Sequence, residues 1–204
     1  MGNTLNEAKH QEHRKRILGQ AQKLFAERGY SDTSMSDLAE ACKVQKATLY
    51  HYFESKEALL FGVIECHADT EDHALLLEKI RSAKTLEEKF YQLAKQHCEE
   101  MSRPENLSFL KILLIETYTN PKMKDFYLAF IKRQTEFLVK EIVEPVLGNR
   151  MKPQEMRRLL FQFLAALIHY TWQVRMVGPI QDVIGSEEAY IRLLSRTYGN
   201  LKEG

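Results

Sequence analysis

The chain has 204 residues, of which 44% are hydrophobic and 28% charged, and its formal net charge is +1 at pH 7. This is the composition of an ordinary globular protein, and it excludes a disordered or fibrous chain. No stretch approaches the roughly 18 uninterrupted apolar residues that cross a bilayer, and the start of the chain lacks the apolar core of a secretory signal. We therefore expect a cytoplasmic protein with no membrane partner.

Apolar residues recur at helical spacing and strand signals are missing, which predicts an all-α fold of about nine helices. The first helix is expected from roughly His10 to Arg28, ending at Gly29, because glycine readily takes the left-handed backbone that terminates helices. Ser34 with Asp37 resembles a capping box and opens a short second helix. A third short helix, from about Lys46 to Tyr50, follows after only a few residues.

Later helices are bounded by residues typical of helix ends. A fourth helix is predicted to run from Ser55 to about Ile80, and a later one is expected to bend near Pro145. The remaining starts and stops are capping side chains, prolines and glycines, namely Thr85 with Glu88, Pro104, Asn120 with Pro121, Gly148, Pro153, Gly178 and Ser186.

The segment from Met35 to Tyr52 reads as two helices joined by a tight turn. Such helices cross closely only where the crossing point carries a small side chain, and Ala39 occupies that position. The inward positions are apolar or aromatic, namely Leu38, Cys42, Val44, Leu49 and Tyr52. The outward face of the third helix carries hydrogen-bond donors, namely Lys46, Thr48, Tyr50 and His51.

Lysine and tyrosine can hold phosphates, while threonine and histidine can reach base edges in the major groove. Taken alone, these four residues are more simply a solvated helix face. Within a helix-turn-helix pattern they favour DNA binding. Residues 1–56 contain nine Lys and Arg against seven Asp and Glu, and the excess concentrates near the start of the chain and around the turn.

Three motifs in this region make the interpretation specific: A-x-x-L-F-x-x-x-G-Y at Ala21–Tyr30, T-S-M-x-D-L-A at Thr33–Ala39, and T-L-Y-H-Y-F-x-S-K-E-A-L at Thr48–Leu59. They resemble the N-terminal domain of the tetracycline repressor (TetR/AcrR) family of regulators. The resemblance implies a DNA-binding domain over residues 1–54, and a helical ligand-binding and dimerisation domain over residues 55–204.

The resemblance also implies roles for individual residues. Those expected to face bases are Lys46, Ala47, Thr48 and His51, and those expected to anchor phosphates are Thr33, Ser34, Tyr50, Tyr52 and Lys56. The turn departs from the family pattern in two places, because Lys43 stands where glycine is common and Gln45-Lys46-Ala47 replaces Ser-Lys-Gly. We therefore expect Lys43 to adopt a left-handed backbone at some cost, and Gln45 to cap the third helix poorly.

The helix after Pro153 is apolar nearly all round, so it must be covered on more than one side. We expect a homodimer in which this helix and the last one form a four-helix bundle. The predicted interface residues are Leu159, Leu167, Tyr170, Ile191, Leu194 and Tyr198. Paired recognition helices about 34 Å apart would then read a palindromic operator in double-stranded DNA.

A ligand cavity is expected only by analogy with the family. Its candidate residues are aromatic or polar, namely Phe109, Tyr118, Phe126, Phe130, Gln134, Phe163, His169 and Trp172. Each one taken singly is more simply a core residue. His169 is the best candidate for a polar contact, because an imidazole on so apolar a helix needs a partner.

The cysteines lie far apart and are odd in number, so neither a disulfide framework nor a zinc site is indicated. Cys66, Asp69 and His73 share one helix face at a spacing that could hold a metal, but a solvated face explains them better, and we expect no metal and no cofactor. No nucleophile elbow, P-loop, HExxH or dinucleotide loop is present, so we do not expect an enzyme.

The predicted function is a repressor released from its operator by a small-molecule effector. The alternative is a helical protein-interaction or enzymatic domain that does not read DNA.

Overall fold

A computed structural model describes residues 2–66, 71–178 and 181–200, and within these ranges every regular element is helical. The all-α prediction is confirmed. The longer helices, each of seven residues or more, are α1 (Gly2–Arg28), α2 (Met35–Ala41), α3 (Lys46–Tyr52), α4 (Lys56–Cys66), α5 (Glu71–Ser82), α6 (Leu86–Met101), α7 (Pro104–Thr119), α8 (Pro121–Leu138), α10 (Pro153–Trp172) and α12 (Glu187–Gly199). The shorter described elements are two single-turn helices, α9 (Glu144–Leu147) and α11 (Gln181–Ile184), two π turns at Val139–Val143 and Gln173–Val177, and a 3-10 turn at Gly148–Arg150.

Ten longer helices are therefore described where about nine were predicted. The predicted fourth helix corresponds to α4 and α5, and residues 67–70 between them lie outside the described residues. Helix α1 also begins earlier than predicted, at Gly2 rather than near His10. In the described part of the chain, no helix is both long enough and apolar enough to cross a membrane.

The predicted helix ends are confirmed by their hydrogen bonds. Ser34 and Asp37 form the expected capping box, as do Thr85 and Glu88. Asn120 Oδ1 accepts the backbone N–H of residue 122 at 3.0 Å, and Gly29 ends α1 with a φ of +88°. These signals depend on chain neighbours only, and for that reason they can be read from sequence.

The bend expected at Pro145 takes the form of a π turn. Helix α8 continues into this turn over Val139–Val143, and the N–H of Glu144 donates to the carbonyl of Val139. Proline has no N–H, so the carbonyl four residues before Pro145 lacks its usual donor. A widened turn just before a proline accommodates that loss.

The described chain divides into two compact units. The first comprises Met1–Thr70 and Pro104–Tyr127, so it contains α1–α4, α7 and the start of α8. Its core is formed by buried side chains of α1–α4, including Ile17, Leu18, Ala21, Phe25, Leu38, Leu49, Leu59 and Leu60. Helix α7 packs on α1, where Gln22 Nε2 donates to Asn106 Oδ1 at 3.1 Å. The helix-turn-helix segment thus shares a unit with α7, a division not drawn from sequence.

The second unit comprises Glu71–Arg103 and Leu128–Gly204. Its core joins α5, α6, the π turn, α10 and α12, and the ring of Phe163 stacks on Phe90 with centroids 4.2 Å apart. Helices α6 and α12 approach so closely that a Cβ built on Gly199 would lie 2.5 Å from the backbone nitrogen of Glu87. At this contact there is no room for a Cβ, which accounts for the glycine at position 199.

Candidate nucleic-acid interface

Helices α2 and α3 form the predicted helix-turn-helix. Ala39 at the crossing is only 4% exposed, and its carbonyl accepts the N–H of Val44 at 2.9 Å. Leu38 and Leu49 are fully buried inward-facing residues, whereas Val44 is partly exposed. The small residue at the crossing and the apolar residues beneath it hold α3 against α2 with its other face outward.

The turn between these helices contains the backbone conformation expected from its sequence. Lys43 has a φ of +54°, and it is the one non-glycine with a positive φ in the described chain. Gln45 occupies the N-cap position of α3 and its side chain makes no capping hydrogen bond. Both predictions about the departures from the family pattern are confirmed.

Replacing Lys43 with glycine should stabilise the protein. A left-handed backbone costs a non-glycine residue about 1 kcal/mol, and the Lys43 side chain is exposed, so little packing is lost. We expect Lys43→Gly to raise the free energy of unfolding by about 0.5–1 kcal/mol in urea titrations. Lys43→Ala is the matched control, because alanine keeps the strain, and an equal gain in both variants would contradict the strain argument.

The outward face of α3 is available for a ligand. Lys46, Ala47, Tyr50 and His51 are exposed, and Thr48 is half-buried. Tyr50 is 45% exposed. These five are among the nine residues predicted from the sequence to contact bases or phosphates, and the structure brings them together on one short helix.

Two other predicted phosphate anchors have structural partners. Thr33 is buried, and its hydroxyl donates to the carbonyl of Gly29 at 2.7 Å. Ser34 caps α2, where its backbone N–H donates to Asp37 Oδ2 at 2.8 Å. The hydrogen bonds from Ser34 hold the pKa of the Asp37 carboxyl below its usual range. A contact of Thr33 or Ser34 with DNA remains a prediction.

Lys56 also lies against the protein itself. Its Nζ donates to the carbonyl of Tyr30 at 2.7 Å and sits 4.2 Å from the centre of the Tyr30 ring. Nearby on α7, Glu116 is only 8% exposed, and burial raises the pKa of its carboxyl while Lys56 opposes that rise. An ammonium group has three donors, so Lys56 can hold the α1–α2 loop and still offer a hydrogen to a phosphate.

Tyr52 contacts α1 rather than pointing freely outward. Its ring stacks on His10 at a centroid distance of 4.6 Å and on His13 at 5.3 Å. Arg16 lies 3.1 Å from Nε2 of His13 through one of its guanidinium nitrogens. These two histidines were not predicted as site residues, although their spacing of three residues places them on one helix face.

The predicted ligand-binding residues fall in both units. In the first unit, Phe109 is buried, Phe126 stacks on Phe61 with centroids 4.1 Å apart, and Tyr118 is 92% exposed. In the second unit, Phe163 belongs to the core, while Phe130 and Gln134 are half-buried. The assignment of these residues to an effector site remains a prediction.

His169 and Trp172 lie on the exposed side of α10, with ring centroids 6.1 Å apart. The buried partner expected for His169 is therefore not required, because water can solvate its ring. In the second unit a protein partner is found instead for His97 on α6, whose Nε2 lies 3.1 Å from Thr171 Oγ1. The sequence indicates a buried position for His97 by placing it between two residues of apolar character, Ala94 and Cys98.

The residues predicted to form the dimer interface face inward. Leu159, Leu167, Tyr170, Ile191 and Leu194 are buried in the core of the second unit, and Tyr198 packs against that core. An all-round apolar helix offers two stripes, and periodicity alone does not say which one faces the core. The exposed stripe of α10 consists of Phe161, Ala165, Ile168 and Trp172, and this placement moves the proposed contact surface to those residues.

The possible metal ligands cannot be placed as a group. Asp69 lies outside the described residues, as does the side chain of His73. Among the side chains that the structure does describe, no three His, Cys, Asp or Glu are grouped as a metal site.

Residues 17–63 match the sequence pattern of the bacterial regulatory proteins of the tetR family. Over 58 residues the chain is 45% identical to YuxN of Bacillus subtilis, an uncharacterised HTH-type transcriptional regulator, and this match covers 28% of the chain and 20% of YuxN. Over 67 residues it is 30% identical to IcaR of Staphylococcus aureus, the negative regulator of the biofilm operon icaADBC, covering 33% of the chain and 36% of IcaR. The matches thus span only a fifth to about a third of these relatives.

Solved structures resemble the chain over nearly its whole length. A regulator from Mesorhizobium loti, assigned to the TetR family, superposes with a TM-score of 0.71 at 17% identity, covering 92% of this chain and 95% of the other. AibR, solved with isovaleryl coenzyme A and operator DNA, superposes with a TM-score of 0.60 at 22% identity, covering 91% and 97%. At these identities the likeness establishes the fold.

Proposed function

The chain carries the DNA-binding domain of the tetR family of bacterial regulatory proteins, and from this premise we propose that it is a ligand-responsive transcriptional repressor. It binds a palindromic operator as a homodimer, and a small-molecule effector releases it. A protein that reads the chromosome works in the cytoplasm. The similarity of the N-terminal segment to IcaR, a negative regulator, supports repression rather than activation.

The observation that carries this proposal is the free outer face of α3. Leu49 anchors the helix from beneath and is completely buried, while Lys46, Tyr50 and His51 remain exposed. A helix held in this way can enter the major groove, with lysine and tyrosine on phosphates and threonine or histidine at base edges. The left-handed backbone at Lys43 fixes the direction in which α3 leaves the turn.

Dimerisation is supported by the exposed apolar stripe on α10. Phe161 is 62% exposed and Ile168 is 43% exposed, and with Trp172 they repeat at the spacing of one helix face. A stripe of this kind packs well against its own copy across a two-fold axis. Two copies are also what a palindromic operator requires, because each half-site takes one recognition helix.

Effector control is supported by AibR, whose structure contains both a coenzyme A thioester and operator DNA. The identity of the effector for this chain is left open. An effector releases DNA only if it binds the DNA-free conformation more tightly than the DNA-bound one. Thermodynamic coupling then makes operator DNA weaken effector binding by the same factor.

The proposal is tested with a duplex selected from a random library, labelled with fluorescein and titrated with the protein at several salt concentrations. We expect binding to weaken about 10³-fold or more between 50 and 200 mM salt, because phosphate contacts release counterions. Lys46→Ala should reduce the magnitude of the slope of log affinity against log salt concentration by about 1 per subunit. Thr48→Ala should reduce the preference for the selected duplex over a scrambled one.

Lys140→Ala is the matched control, because Lys140 is an exposed lysine on the π turn of the second unit. It should bind DNA with the affinity and salt dependence of the unmodified protein. Salt-independent binding, or the same result for Lys46→Ala and Lys140→Ala, would refute DNA reading by α3. The alternative of a helical domain without DNA reading would then stand.

A further inference from the structure

Three histidines surround one tyrosine beside the recognition helix. The rings of His10 and His13 on α1 stack on Tyr52, with interplanar angles of 27° and 12°. His51 on α3 meets Tyr52 edge-on at 5.7 Å and lies 6.3 Å from His10. The early turns of α1 and the end of α3 therefore form one surface of aromatic rings and imidazoles, which we call the histidine patch.

The histidine patch lies beside the exposed face of α3, which is the face proposed to enter the major groove. His51 is on the exposed face of α3, and His10 is exposed beside it, while His13 is half-buried. When α3 enters the major groove, groups within a few ångströms of His51 come close to the groove edge and its phosphates. Imidazoles at this position would lie close to the negatively charged phosphates of the duplex.

The groups around the patch are mainly positively charged, so an added proton on its rings needs a nearby anion to compensate it. The groups that face the rings are Arg16 on α1, and Tyr52 and His51 on α3. Glu12 is the nearest acid in sequence and is exposed, while Lys9 and Lys15 add positive charge on the same helix. The contact between Arg16 and His13 Nε2 requires a neutral His13 ring that accepts from the guanidinium. Protonation of His13 breaks that bond and leaves both cations for an anion.

We propose that the histidine patch is part of the DNA-binding surface and that its imidazoles take up protons when DNA binds. The proposal rests on the proposed function and extends it from α2 and α3 to the early turns of α1. Histidine is the side chain whose charge ordinarily changes between pH 5 and 8, so DNA affinity rises as the pH falls across that range. The protein is then a regulator that holds its operator more tightly in an acidified cell.

The test measures the affinity for the selected duplex, and for a scrambled duplex of equal length, from pH 7.5 to 6.0 at constant salt. For the unmodified protein we expect about a 10-fold or greater gain in affinity for both duplexes, since each proton taken up makes the slope of log affinity against pH more negative by up to one. The double variant H10Q/H13Q should show about a threefold gain or less, because His51 alone remains. His10→Gln alone should fall between the two.

His169→Gln is the control, because it removes an exposed histidine from the second unit and should behave as the unmodified protein does. Affinity that does not change with pH, or the same change in H10Q/H13Q and in the unmodified protein, would overturn the inference while leaving DNA binding established. Failure to bind DNA at any pH would instead refute the proposed function, and the inference with it. Circular dichroism melts of each variant at both pH values identify any loss of affinity caused by unfolding.

Discussion

Gly199→Ala is expected to be strongly destabilising, by about 2 kcal/mol or more, although it adds a single methyl group. The new Cβ would overlap the backbone of Glu87, at 2.5 Å from its nitrogen and 2.7 Å from its Cβ. Backbone atoms in a packed helix do not move aside as a flexible side chain does, so α12 would have to shift along or away from α6. That shift disturbs the neighbouring contacts of Ile191 and Leu194 in the core of the second unit.

Gly19→Ala is the matched control, because it places the same methyl group inside another helix. The added Cβ would have nothing within 4 Å, so only the helix propensity changes. We expect Gly19→Ala to stabilise the protein by up to about 1 kcal/mol, and Gly199→Ala to lower the melting temperature by about 4–8 °C. Both are measured by thermal and urea unfolding, and a Gly199→Ala protein as stable as the unmodified one would refute the close packing of α6 and α12.

Acidification from pH 7.5 to 4.5 is expected to destabilise the protein through His97. Desolvation by burial lowers the pKa of this imidazole to about 4, from an ordinary value of 6.5. The unfolded chain therefore takes up a proton near pH 6.5 that the folded protein refuses until about pH 4. The stability contribution is complete above pH 6.5 and is lost as the pH falls through this window. Because the ring is partly exposed, we expect a loss of about 2 kcal/mol.

His97→Gln isolates this effect from the other groups that titrate in the same range. Glutamine does not titrate, and its amide can still donate to Thr171 Oγ1, whose own hydroxyl donates to the carbonyl of Leu167. Between pH 7.5 and 4.5 the unmodified protein should lose about 2 kcal/mol more free energy of unfolding than the His97→Gln variant loses. Parallel pH profiles in urea titrations would show that His97 is not held neutral.

Features that depend on chain neighbours could be predicted from the sequence. The capping box at Ser34 depends only on Asp37 three residues away, and the strain at Lys43 follows from the missing glycine in a tight turn. The separation of α2 from α3 was likewise predictable, because a small residue at the crossing and buried residues around it form one local pattern. These features place the outer face of α3.

Contacts between distant parts of the chain could not be predicted in this way. The carbonyl bound by Lys56 belongs to Tyr30, 26 residues earlier, and a long flexible side chain gives no sign of where it will lie. On α10 both helix stripes are apolar, so the dimer residues were placed on the stripe that contains Leu167, which is fully buried. Only the packing of the second unit decides that Phe161 and Ile168 face outward.

Helix α7 belongs to the same compact unit as the helix-turn-helix, although 37 residues of chain separate it from α4. A chimera made with a single cut after α4 would exchange every residue that follows the helix-turn-helix and α4. Here such a cut would remove Asn106 from Gln22 and Asn120 from Glu57, and would uncover the α1 surface on which α7 packs. A working chimera must therefore be spliced at three places, so that residues 104–127 travel together with residues 1–66.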